Sequence, residues 1–68
     1  MENVKVGQIY RHYKGNLYEV LGIAKHSETL EDMVVYKSAV NGGIWVRPIR
    51  MWNEIVDDNG TLRFTPVN

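Results

Sequence analysis

The sequence predicts an all-β domain: a small SH3-like barrel of about five short antiparallel strands, with a short helical turn before the last strands. Three observations predict it. Turn residues recur at close intervals, at Gly7, Lys14-Gly15-Asn16, Asn41-Gly42-Gly43, Pro48, Asp57-Asp58-Asn59-Gly60 and Pro66. Between them lie short runs rich in Val, Ile, Tyr and Trp, a spacing that reads as a meander or barrel rather than βαβ units. Within several runs the apolar residues alternate with a period of two. Closing such a sheet on itself also removes the exposed edges that so small a chain would otherwise have to protect.

Each element follows in order. Residues 9–13 make the first strand, and Lys14-Gly15-Asn16 turns it. Residues 17–24 make the second. Both of its alternating faces are apolar, with Leu17, Leu21 and Ile23 on one and Tyr18, Val20 and Ala24 on the other, so it is expected to lie centrally with little solvent on either side. Charged and hydroxyl residues break the pattern over residues 25–32. Residues 33–40 return to strand, and residues 44–47 come back after Asn41-Gly42-Gly43.

That hairpin admits two registers, and a slip of one residue exchanges the two faces. A two-residue turn at Asn41-Gly42 places Lys37 on a face with Val35, Ile44 and Val46. A three-residue loop groups Val34, Tyr36, Val40, Ile44 and Val46, and leaves Lys37, Trp45 and Arg47 together outside. Burying an unpaired lysine is costly, which favours the three-residue loop. Pro48, with its fixed φ, suits the start of a short helical turn over Ile49–Trp52. Ile55 and Val56 then lead to the turn at residues 57–60. Leu62 and Phe64 alternate with Arg63 and Thr65 as a half-buried last strand. The expected core is Leu21, Val34, Tyr36, Val46 and Phe64.

A chain of 68 residues is read as one domain spanning residues 1–68. A domain of this size buries only about 60% of the surface its unfolded form exposes, so its stability is modest. There is no cysteine, which excludes thiolate chemistry, thiolate metal sites and a disulfide scaffold, and fits a reducing compartment. Apolar stretches run only a few residues, against the ~20 of a membrane span. No apolar segment follows Met1-Glu2-Asn3-Val4-Lys5, so no signal peptide is expected. The expectation is a cytoplasmic protein with no membrane partner. Eight basic residues balance eight acidic ones, without the basic excess on which non-specific nucleic-acid binding draws. The charges are nevertheless uneven along the chain. Lys5, Arg11, Lys14 and Lys25 come early, whereas Glu28, Glu31, Asp32, Asp57 and Asp58 come later.

Several stretches together resemble a known bacterial family. They are Tyr10-Arg11-His12-Tyr13-Lys14-Gly15, Tyr18-Glu19-Val20, His26-Ser27-Glu28-Thr29, Val34-Val35-Tyr36 and Trp45-Val46-Arg47-Pro48. The family is the one catalogued as domain of unknown function 1653, and the likeness runs from about Gly7 to Phe64. It implies an SH3-like barrel, in agreement with the strand spacing. It implies no activity, cofactor or site residue. The link at Asn41-Gly42-Gly43 is shorter here than in relatives, which makes it a poor place to seek a shared function.

Motif chemistry is sparse. His12, His26, Glu28 and Glu31 could hold a metal if the fold gathered them, but no tight ligand pair is present, and no metal or cofactor is expected. His26-Ser27-Glu28 invites a hydrolase reading. A triad is defined by spatial geometry rather than adjacency, however, and Ser27 and Thr29 suit a capped turn equally well. The glycine turns lack the spacing and following helix of a phosphate loop. Most suggestive are Arg11, Trp45 and Arg47 at expected outward strand positions, since Trp and Arg dominate interface hot spots. The expectation is therefore a binding or adaptor module for a protein or peptide, with Trp45, Arg47, Arg11, His26, Ser27 and Glu28 at its surface. A nucleic-acid-binding barrel using Arg11, Lys14 and Arg47 is the alternative. A small hydrolase or metal-dependent enzyme is the third and least favoured reading.

Overall fold

The computed structural model describes residues 4–67; the reading of residues 1–3 as lacking a signal segment lies outside them. The elements are β1 (Ile9–His12), β2 (Leu17–Lys25), β3 (Asp32–Ser38), β4 (Ile44–Pro48), α1 (Ile49–Trp52) and β5 (Phe64–Val67). The strands form a single antiparallel sheet in the order β4-β3-β2-β1-β5. The fold is all-β, with one helix of a single turn. Among the described residues, no helix is long and apolar enough to cross a membrane.

Alternation decides what each strand buries. Tyr10 and His12 of β1, Tyr18 and Val20 of β2, and Val34, Tyr36 and Ser38 of β3 share one face through the pairs Tyr10↔Tyr18, Val20↔Tyr36 and Tyr18↔Ser38. Phe64 joins them opposite His12. Pro66 is tolerated in β5 because that strand lies at an edge of the sheet. The core is Tyr10, Val20, Val34, Tyr36, Trp52 and Phe64. Trp52, brought inward by the turn that Pro48 starts, stacks on Phe64 with ring centroids 3.7 Å apart and planes within 3°. Tyr10 and Tyr36 meet the indole edge to face at 5.2 and 4.9 Å, the geometry that aromatic quadrupoles favour.

The sheet is rolled. In a flat sheet β4 and β5 would lie about 19 Å apart, four strand spacings. Here the Arg47 guanidinium of β4 lies 5.7 Å from the Phe64 ring of β5. Among the described residues the two strands share no ladder, so the barrel, expected to be closed or nearly closed, is an open, rolled sheet. The reason lies at Pro48, where the chain leaves β4 directly into α1 before β4 can reach β5. The side chains of Trp52 and Arg47 fill the gap in place of hydrogen bonds.

Three further expectations are corrected. β2 is central, but its second half is not shielded: Leu21 is 39% exposed and Ile23 42% exposed. Only Leu17–Glu19 pair with β1, so residues 22–25 pair with β3 alone, and a bulge at Leu21 bends the strand away from the core. The preferred β3–β4 register is also overturned. Tyr36 pairs with Trp45, Val34 with Arg47 and Lys37 with Ile44. This is the face grouping of the two-residue alternative, although the connecting loop is longer. Lys37 therefore shares the outer face with Val35, Ile44 and Val46, and that face is open to solvent rather than core. Val46, 59% exposed, accordingly leaves the core list.

Candidate functional site

The register places Trp45 and Arg47 on the concave face, beside Tyr36 and Val34, instead of on the outward face expected from the sequence. Because β4 is an edge strand, both stand where the concave face opens to solvent. Ile44, Trp45 and Val46 are exposed in succession, at 61%, 55% and 59%. The Trp45 indole lies against the preceding loop. A Cβ added to Gly43 would meet Asn41 Oδ1 at 3.1 Å and Trp45 Nε1 at 3.4 Å, so a side chain there would require Asn41 to give by a few tenths of an ångström. Asn41 Oδ1 accepts the Gly43 N–H at 2.8 Å and fixes the turn beneath the indole.

Arg47 lies half-buried. Its Nε–H donates to the Tyr36 hydroxyl at 3.4 Å, and its guanidinium sits over Phe64. Next to it lies His12, whose ring meets Phe64 at 5.0 Å, Tyr13 at 4.6 Å and Tyr18 at 6.3 Å. His12 Nδ1 accepts the Lys14 N–H at 3.2 Å, which leaves the proton of the neutral ring on Nε2. Burial, followed by the positive charges of Arg47, Arg63 and Lys14, lowers the His12 pKa from the ordinary 6.5. Lys14 and Arg63 each hold their cation 5.9 Å from the Tyr13 ring. Arg63 also pairs with Glu54 at 2.7 Å. The result is an aromatic floor with a cationic rim.

The other expected residues go elsewhere. Arg11 is exposed on the convex face, opposite in sense to Tyr10 and paired with Leu17 and Thr65. His26, Ser27 and Glu28 lie at the tip of the β2–β3 hairpin. His26 Nδ1 accepts the N–H groups of Glu28 and Thr29 at 3.1 and 3.3 Å, while its own backbone bonds Glu31 and Leu30. That nitrogen is occupied in shaping the turn and is not free to serve Ser27 as a base. His12 and His26 lie at opposite ends of β2, on the order of 25 Å apart by strand rise. No group of three His, Asp or Glu among the described residues is arranged to hold a metal.

The sequence reading thus kept Trp45 and Arg47 together but missed His12, Tyr18 and Arg63 as their neighbours. Alternation from Tyr10 was a usable signal for His12. Arg63 joins only because β5 returns to pair with β1.

A family model described as protein of unknown function (DUF1653) matches residues 8–66, so the chain belongs to that family. A crystal structure of a protein belonging to DUF1653 from Bordetella bronchiseptica is similar, with a TM-score of 0.81 at 38% identity, covering 96% of this chain and 88% of that one. No curated protein matches.

Proposed function

We propose that this chain is a small SH3-like binding module of the cytoplasm that takes an extended segment of a protein partner along β4. The observation that carries this is the run of exposed Ile44, Trp45 and Val46 on an edge strand. A strand edge offers unpaired N–H and C=O groups to a further strand, and natural proteins usually blunt an edge that they do not use. Trp45 and Arg47 beside that edge are the residue types that dominate protein interfaces. The balanced charge supports a protein partner over a phosphate backbone. The absence of cysteine supports the cytoplasmic assignment.

The cations gathered around His12 favour the second reading, a nucleic-acid-binding surface. Photo-crosslinking in the native host separates the two. A crosslinking residue in place of Val46 is expected to capture protein, while one in place of Arg11 on the convex face is not. Nucleic-acid adducts at position 46 would establish the second reading, and equal capture at both positions would remove β4 as the site.

A further inference from the structure

Trp45 and Arg47 stand two residues apart on one face of a strand whose outer edge is free among the described residues. A strand added to that edge sets its own alternate side chains beside theirs. The two partner residues that meet them are therefore also two apart. The residue between lies on the opposite face, against exposed Val46, where an apolar or neutral side chain suits.

Charge selects the rest. Lys25, Arg50 and Arg63 each have a carboxylate partner, in Asp32, Glu31 and Glu54. Arg47, like Lys5, Arg11, Lys14 and Lys37, has none within 4.0 Å among the described residues, and of these it alone lies on β4. Its guanidinium is already ordered, by the Tyr36 hydroxyl at one nitrogen and by Phe64 beneath it. An ordered guanidinium with no carboxylate partner among the described residues suits a planar carboxylate. Lys14, beyond His12, adds a second cation on the same rim, and Glu54 answers only Arg63. A nucleic acid would make no use of the backbone edge or of Ile44 and Val46.

We propose that β4 recognises an acidic peptide segment, in which an aspartate or glutamate two residues from a large apolar side chain meets Arg47 while the apolar side chain meets Trp45. This rests on the reading of β4 as a peptide-binding edge. It goes beyond that reading by naming the partner's chemistry and spacing.

The test uses the full chain and an array of short synthetic peptides with the apolar–x–acid pattern in both chain directions. Matched peptides carry alanine, lysine or phosphoserine at the acid position. Fluorescence anisotropy is expected to show glutamate bound about tenfold more tightly than alanine, the scale of one charge-assisted hydrogen bond. Lysine is expected to bind more weakly still. Arg47→Gln should erase the difference between glutamate and alanine, and Arg47→Lys should keep part of it. Trp45→Ala should weaken every peptide. Thermal melts of each variant exclude unfolding as the cause, and the comparison among peptides on the parent chain requires no variant at all. Equal binding of the glutamate, alanine and lysine peptides overturns the acidic specificity while leaving β4 as a peptide edge. Selective binding of phosphoserine alone overturns it as well. If no peptide binds, or a single-stranded oligonucleotide binds in their place with steep salt dependence, the peptide-binding reading falls and this inference falls with it.

Discussion

Phe64→Ala removes the ring on which the interior is assembled. Phe64 is 1% exposed, stacks on Trp52 at 3.7 Å, and meets Tyr36, Tyr18 and His12 edge to face at 5.7, 5.9 and 5.0 Å. Truncating a buried phenylalanine costs about 3–5 kcal/mol. Aromatic pairs contribute about 0.5–1.5 kcal/mol each beyond their area, which places this site near the upper end of that range. A chain of 68 residues, at about 0.05–0.15 kcal/mol per residue, has only about 3–10 kcal/mol in total. The variant should therefore lose most of its stability. Urea titration followed by Trp emission measures it, because buried Trp52 moves into water on unfolding. A cooperative transition with its midpoint close to that of the parent would refute the placement of Phe64 at the centre of the core.

Other expectations follow from the same packing. Val46→Ser, at a site the sequence placed in the core, should change stability by no more than about 0.5 kcal/mol, as solvent-facing substitutions do; a large loss in a urea titration would contradict the observed register. Gly43→Ala should shift the indole N–H resonance of Trp45 and spare that of Trp52, since its Cβ would press on Asn41 and the Trp45 ring; two unmoved resonances would remove that contact. The His12 pKa is lower folded than unfolded, so the unfolded chain binds the proton first. His12 thus leaves stability untouched above about pH 6.5 and lowers it progressively as pH falls from there through the folded value. His12→Gln should flatten that part of the pH–stability curve, and an unchanged slope would place His12 outside the cationic rim.

Strand number and sequence order were legible because turn residues and short β-rich runs are local signals. Val34, Tyr36 and Phe64 were legible as core from their alternation. The β3–β4 register was not: the cost of burying Lys37 argued against the face grouping that the chain adopts, and that cost does not arise because the face is open to solvent. Neither turn weighed at Asn41-Gly42-Gly43 is the one the chain uses. Ser38 sets that loop instead. Its N–H bonds Gly43 O, its C=O accepts Gly42 N–H, and its hydroxyl accepts from Val40 and Asn41. A polar residue buried to serve a turn gives no hydrophobic signal. From that misplaced register came the reversal of Trp45 and Arg47 from the outer to the concave face. Whether the barrel closes fully or only nearly was not legible for a related reason: nothing local says that Trp52 will stack on Phe64 where β4 and β5 approach. The pairing of Trp45 with Arg47 survived because residues two apart on a strand share a face in either register. His12 and Lys14 are local neighbours, but Arg63 reaches them only through the contact of β5 with β1, which joins distant parts of the chain.

The most direct test of β4 as the binding edge is amide hydrogen exchange, with and without the best-binding acidic peptide. The account predicts new protection at β4 amides that do not bond β3, confined to residues 44–47, together with a shifted Trp45 indole resonance. Protection that appears instead along β5, on the Arg11 face or at the His26–Glu28 turn, with β4 unchanged, would contradict it.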